Sequence, residues 1–232
     1  MTGLKSILVA FSFLALQHSV FAQDISKHNF KIGVTGGIGQ YIQSDLKDMN
    51  RMVKNRLSFE TSLVNDFPLS VFWGFHLLYK LKPAIYAGPG YQFHTTGSRL
   101  GASDYSGSYT FDQILSCHSV YFQLEGTVYK MNEVAFSINF SGGVQISKWN
   151  TTEKLVLQDQ SLSLFENFKG LRPFIYPSFK VSYPLTEFLS LSTSAGYSID
   201  IGGKYKNVDQ TNSEMIAQWN GLRIEFNICY SF

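Results

Sequence analysis

The chain has 232 residues, a formal net charge of +2, and charged and aromatic residues in equal shares of 16%. The length fits one domain, the small charge argues against a nucleic-acid partner, and charge is too scarce for a soluble domain, where about a quarter of residues carry it. Beyond the first residues no apolar stretch approaches the ~20 residues of a transmembrane helix, so a membrane reading requires a closed barrel, the other fold that pairs every backbone group inside lipid.

Residues 1–22 read as a cleaved signal peptide. Lys5 supplies the positive start, Ile7 to Leu16 the apolar core, and Val20-Phe21-Ala22 the cut before Gln23. No cysteine follows the cut, which argues against a lipoprotein. The remainder, 23–232, reads as one barrel.

Period-two alternation then predicts eight strands. Strand one covers Phe30 to Tyr41, with Phe30, Ile32, Val34 and Ile38 on one face. Its glycine-rich stretch, Thr35 to Gly39, has no helix after it and so lacks the architecture of a phosphate loop. The connection Ile42 to Pro68 carries Leu46, Met49, Met52 and Val53 at loose helical spacing, which leaves a surface helix and an extension of the strands both open. Lys47, Arg51, Lys54 and Arg56 in that connection are candidates to hold lipopolysaccharide phosphates, diluted by Asp45 and Asp48.

Strand two, Leu69 to Tyr79, and strand three, Ala84 to Thr95, flank the tight turn Lys80-Leu81-Lys82-Pro83. Strand four, Ile114 to Tyr129, and strand five, Val134 to Lys148, flank Lys130 to Glu133. Strand six, Leu171 to Tyr183, and strand seven, Phe188 to Ile201, flank Pro184 to Glu187. Strand eight places Leu222, Ile224, Phe226, Ile228, Tyr230 and Phe232 on one face. The other connections, Ile42 to Pro68, Thr96 to Gln113, Trp149 to Gly170 and Gly202 to Ile216, are long. Pro89 and Pro177 fall inside strands three and six and predict bulges, because neither can donate to a ladder. Cys117 and Cys229 are placed near opposite ends of the barrel, too far apart to bond.

A soluble eight-stranded barrel with its apolar face inward shares this alternation. The polar face decides between them. It is mostly small and neutral, as in Gly33, Thr35, Gly37, Ser137, Asn139, Ser141, Ser190, Ser192 and Ser194. That suits a cramped lumen better than a water-facing exterior. Aromatics at Tyr79, Tyr183 and Tyr230 suit a membrane interface.

Interior parity picks out a lumen polar network of Lys31, His76, Glu125, Lys180, Arg223 and Glu225. Charges in a narrow lumen need partners, so Glu125 and Glu225 are expected to pair with Lys180 and Arg223 and block conduction. A gated pore or proton path would use the same groups. For catalysis, His94, His118, Ser119 and Asp112 lie near the long-loop ends of their strands. Adjacent His118 and Ser119 must point to opposite faces, and no catalytic residue is assigned. No Cys/His metal spacing and no cofactor motif occurs.

The signal peptide, the eight strands, the alternating short and long connections and the Cys229-Tyr230-Ser231-Phe232 end resemble the small outer-membrane β-barrel family of Gram-negative bacteria, which includes OmpA-type transmembrane barrels and porin-like relatives. The resemblance implies an all-β, eight-stranded antiparallel up-and-down transmembrane barrel with short periplasmic turns, long extracellular loops and both mature termini periplasmic. It implies a C-terminal signal at Tyr230 and Phe232 read by the barrel assembly machinery, and lipid and lipopolysaccharide as partners. No periplasmic domain follows strand eight, so the cell-wall anchoring of OmpA-type proteins is not expected. A non-enzymatic role in envelope integrity or surface interaction through the loops is implied. The alternatives are an accessory subunit of a secretion or assembly complex, as in PorT-like proteins, and a narrow channel for small solutes.

Overall fold

A computed structural model of the chain describes residues 28–157, 160–202, 205–207, 212–213 and 217–232. The expected signal peptide lies outside the described residues, as does much of the connection 202–216.

The described elements are Phe30–Tyr41 (β1), Ser44–Arg56 (α1), Ser62–Asp66 (β2), Ser70–Lys82 (β3), Ile85–Asp104 (β4), Gly107–Met131 (β5), Val134–Leu157 (β6), Gln160–Pro184 (β7), Leu189–Asp200 (β8), Tyr205–Asn207 (β9), Asn212–Ser213 (β10) and Gly221–Ser231 (β11). Eight of them, β1, β3, β4, β5, β6, β7, β8 and β11, form an antiparallel up-and-down ring. The ring closes where β1 pairs with β11, from Lys31 opposite Ser231 to Tyr41 opposite Gly221. Closure removes the sheet edges that lipid could not satisfy.

The apolar face points outward. Val34, Val71, Trp73, Phe122, Leu171, Leu222 and Phe226 are all more than half exposed, while the alternate positions Thr35, His76, Glu125, Asn139, Lys180, Ser194 and Arg223 are buried inside the ring. This inversion of the usual burial rule excludes the soluble barrel and makes the molecule a transmembrane barrel. At the end carrying the short turns, aromatics form a girdle. Phe232 stacks on Phe30 with ring centroids 5.7 Å apart, Phe30 meets Tyr79 at 5.0 Å, and Phe188 stacks on Tyr230 at 6.1 Å.

Glycine admits the large lumen side chains. A Cβ at Gly33 would meet the His76 imidazole and Cys229 Sγ, and one at Gly37 the Phe72 ring and the Ile224 carbonyl. Gly37→Val is therefore expected to destabilise the barrel by about 1–3 kcal/mol through overpacking, read as a lower urea midpoint at unchanged slope.

Four features differ from the sequence expectation. First, β4, β5, β6 and β7 run for 20, 25, 24 and 25 residues, well beyond the ~9–11 needed to cross a bilayer. Thr96 to Gln113 and most of Trp149 to Gly170 are not loops but continuations of the ladders, in unbroken register from Thr95–Ser116 to Asp104–Gly107 and from Trp149–Phe168 to Leu157–Gln160. Their alternation is masked by Ser, Thr and Asn, residues common in loops. Second, Ile42 to Pro68 contains both open alternatives, α1 and the short β2, which pairs with β4. Third, the register passes Pro89 opposite Phe122 and Pro177 opposite Phe140 without a shift. Among the described pairings the register shifts fall elsewhere, at Lys80/Lys82 and Thr127/Tyr129 in the ring and at Leu63/Asn65 in β2. Fourth, expected strand bounds move by a few residues: strand two is Ser70–Lys82 and strand seven Leu189–Asp200. Cys117 and Cys229 are buried free thiols.

Candidate functional site

The lumen is filled in three layers. At the turn end, Lys180 Nζ donates to Glu125 Oε2 at 2.8 Å, and Lys31 Nζ lies 3.5 Å from Glu125 Oε1 and 3.5 Å from the Tyr86 ring centroid. The four-atom reach of lysine lets β1 and β7 serve one carboxylate on β5. His76 lies beside this cluster, with Nε2 3.7 Å from Cys229 Sγ and Nδ1 3.5 Å from Thr35 Oγ1. A recess of about 150 Å³ opens here, lined by Lys31, Glu125, Lys180 and Ser137.

In the middle layer Gln92 bridges two charges. Its Nε2 donates to Glu225 Oε1 at 2.9 Å, and its Oε1 accepts from Arg223 Nη1 at 3.3 Å. Ser194 completes Glu225 at 3.1 Å and Ser198 completes Arg223 at 2.8 Å. The Arg223 guanidinium also lies 5.3, 5.2 and 5.9 Å from the rings of Tyr41, Tyr176 and Phe174, within cation–π range. The structure places Lys31, His76, Glu125, Lys180, Arg223 and Glu225 on the lumen side of the ring and brings Lys180 onto Glu125. A direct Arg223–Glu225 ion pair does not form among the described contacts. Both project from one face of β11, and a glutamine from β4 joins them. The space left beside Gln92, Tyr121, Asn139 and Glu225 is about 10 Å³, the size of one water molecule.

The loop end is closed by α1 and two tryptophans. Leu46 of α1 packs with Tyr41, Leu115, Trp149, Phe168 and Trp219. Gln113 Nε2 holds the helix through Asn50 Oδ1 at 2.7 Å and the Leu46 carbonyl at 3.1 Å, and Trp149 Nε1 donates to Gln113 Oε1 at 3.1 Å. Trp219 Nε1 donates to Ser147 at 2.9 Å. A buried ion pair latches this segment: Arg172 Nε donates to Asp200 Oδ1 at 2.8 Å and Nη1 to the Ala217 carbonyl at 2.6 Å, while Trp219 N donates to Asp200 Oδ2 at 3.3 Å. Sequence reasoning missed Arg172 and Asp200, although parity reaches both. Arg172 shares the inward face of Phe174, Tyr176 and Lys180, and Asp200 that of Ser194 and Ser198.

The catalytic candidates do not converge. His94 is buried in the lumen, its Nδ1 2.8 Å from the Tyr41 hydroxyl. His118 faces outward, its Nδ1 2.7 Å from the Tyr91 hydroxyl. Ser119 faces inward beside Cys117, and Asp112 is held on the outside by Arg99 through two contacts of 2.6 and 2.8 Å. Of the basic residues on α1, Arg51 contacts Asp48 at 2.8 Å and Lys47 lies 4.0 Å from Asp66.

Beyond the barrel, the continued ladders of β4 to β7, with β2, form a standing sheet. The inner face of this sheet carries two crevices of about 630 and 170 Å³, both lined by Phe59, Tyr109 and Leu155. Leu162 and Leu164 on that face and Phe165 on the other are 62%, 57% and 64% exposed. At the β4–β5 tip, Asp104 accepts from Ser106 Oγ at 2.7 Å, Ser106 N at 2.8 Å and Gly107 N at 3.1 Å. These bonds hold its carboxyl below the usual carboxylate range.

No protein-family model matches the chain, and no curated protein matches its sequence. Among solved structures it is similar to the attachment invasion locus protein Ail of Yersinia pestis, at 12% identity and TM-score 0.39 over 88% of this chain and 99% of that one. It is similar to a major outer membrane protein of Thermus thermophilus, at 13% identity and TM-score 0.49 over 88% and 100%. It is also similar to the outer membrane protease OmpT of Escherichia coli, at 8% identity and TM-score 0.41 over 92% and 100%. These similarities concern the fold alone. The barrel assignment rests on the closed ring and the outward apolar face.

Proposed function

We propose that this is an integral outer-membrane barrel of a Gram-negative bacterium that neither conducts nor catalyses, and that acts in surface interaction through its loop-end sheet. In this reading the turns and both mature termini are periplasmic and the loop end faces outward. Tyr230 and Phe232 serve as the signal for barrel assembly, and no cofactor takes part. The single observation that carries the reading is the display of Leu157, Leu162 and Leu164 on one face of strands that extend past the barrel. Contiguous apolar surface in water marks an interaction site. The filled lumen supports the absence of transport, and the separation of His94, His118, Ser119 and Asp112 supports the absence of catalysis.

A second reading, an accessory subunit of a larger secretion or assembly complex of the PorT-like kind, is favoured by the same patch, which would then contact a neighbouring subunit. Gentle extraction from native outer membranes, a native gel and mass spectrometry distinguish them. For a stable subunit, a stoichiometric high-mass band is expected, and Leu157→Gln/Leu162→Gln/Leu164→Gln removes it while leaving heat-modifiable mobility intact. For surface interaction, the protein runs at monomer mass with lipid. Discrete conductance steps from the purified protein in planar bilayers would overturn the non-conducting reading and favour the narrow channel.

A further inference from the structure

A pair of lysines on the outer wall stands apart from everything described above. Lys148 of β6 and Lys169 of β7 are direct register partners. Both are exposed and both belong to the outward-facing set. Like charges directly opposite on a sheet destabilise it, and among the described residues neither lysine has a carboxylate within ion-pair distance.

Their height on the wall is set by their neighbours. One rung toward the turn end, Ile146 faces Leu171, 46% and 64% exposed, and below them continues the lipid-facing band of Val144, Phe140 and Phe179. One rung beyond the lysines, Asn150 faces Asn167, with both side-chain Oδ1 atoms enclosed and unpartnered. The backbone rung continues through Ser116 on one side and Lys206 on the other. On β6 and β7 the lysine rung is therefore the first polar rung at the loop-end limit of the apolar band, the depth at which lipid headgroups meet a barrel.

From this placement we infer that Lys148 and Lys169 form a clamp on the barrel wall for the phosphate of an outer-leaflet lipid, with its acyl chains lying along Ile146 and Leu171. Opposed Cβ atoms in such a pair are about 5 Å apart, so two flexible ammonium groups converge on one phosphate. The phosphate supplies the anion that the rung lacks, and the repulsion becomes a shared contact. The long lysine stems keep the charges at headgroup height while covering apolar surface. The site is distinct from the α1 cations, of which Arg51 is already met by Asp48 and Lys47 lies beside Asp66. It rests on the reading of the loop end as the outer face.

The test is titration of the full-length protein in nanodiscs with bisphosphorylated lipid A and with its dephosphorylated form, retention being counted by native mass spectrometry. Both leaflets carry the lipid, so the result does not depend on orientation, which surface biotinylation of intact cells reports separately. Each membrane-proximal lysine contributes about fivefold in affinity. Lys148→Gln/Lys169→Gln is expected to weaken retention of the phosphorylated lipid by roughly 25-fold and to leave the dephosphorylated lipid unchanged, while Lys47→Gln/Arg51→Gln has no comparable effect. Unchanged retention in the Lys148/Lys169 variant, or equal loss for both lipids, would overturn the clamp. Heat-modifiable mobility confirms that each variant folds.

Discussion

Glu125→Ala is expected to lower the unfolding free energy by about 3–5 kcal/mol, the cost of leaving a buried charge without its partner. Lys180 and Glu125 are both almost fully enclosed, and their side chains meet at 2.8 Å. Removing the carboxylate leaves Lys180 facing Lys31 in the narrow turn end of the lumen, with no other carboxylate in contact among the described residues. Two positive charges then share the turn-end recess of about 150 Å³. Urea unfolding followed by tryptophan fluorescence and heat-modifiable mobility measures the loss. Glu125→Leu/Lys180→Met is expected to recover most of it, because replacing both members of a buried pair by apolar groups is close to neutral. A loss below about 1 kcal/mol in the single variant would mean that the turn end is open water, and that the lysines are solvated rather than paired.

The pair was legible in the sequence because a strand of period two assigns every residue to a face, and strand direction assigns its height. Nothing more was needed to bring Glu125, Lys180 and Lys31 together. The same rule reaches Arg172 and Asp200, yet these stayed hidden. Their strand ends adjoin stretches rich in Ser, Thr, Asn and Gly, where the alternation that marks a face fades. The boundary between strand and loop was misplaced there for the same reason. Gln160 to Phe168 has apolar residues on both faces, Leu162 and Leu164 against Phe165, so no single face identifies it as a strand. It is one because β6 pairs with it along its whole length. The Gln92 bridge was illegible for another reason. Arg223 and Glu225 have complementary charge and the same parity, and sequence alone cannot tell a direct pair from one joined through a third strand. Side-chain direction decides, and it is fixed by the neighbours Ser194, Ser198 and Tyr176.

Arg172→Ala is expected to cost a similar 3–5 kcal/mol, with a different structural consequence. Asp200 would keep its buried carboxylate with the backbone N–H groups of Trp219 and Gly202 but no cation among the described residues, and the Ala217 carbonyl would lose its 2.6 Å donor. Both contacts hold the segment that sets Trp219 into the mouth against Tyr41 and His94, at centroid distances of 4.9 and 5.9 Å. Trp219 should therefore become accessible to acrylamide in the variant, measured in a Trp73→Phe background with Trp149→Phe as the control for the second lumen indole. Arg172→Leu/Asp200→Leu removes both charges and should restore much of the stability without restoring the latch, separating the electrostatic cost from the positioning of Trp219. Conductance provides the sharper test of the three-layer lumen. Arg172→Ala leaves the Arg223–Gln92–Glu225 bridge and the Lys180–Glu125 pair in place, so planar bilayers should stay silent even with the mouth unlatched. Current through this single variant would show that the loop-end cap alone closes the barrel, and that the two polar layers beneath it form a conducting path.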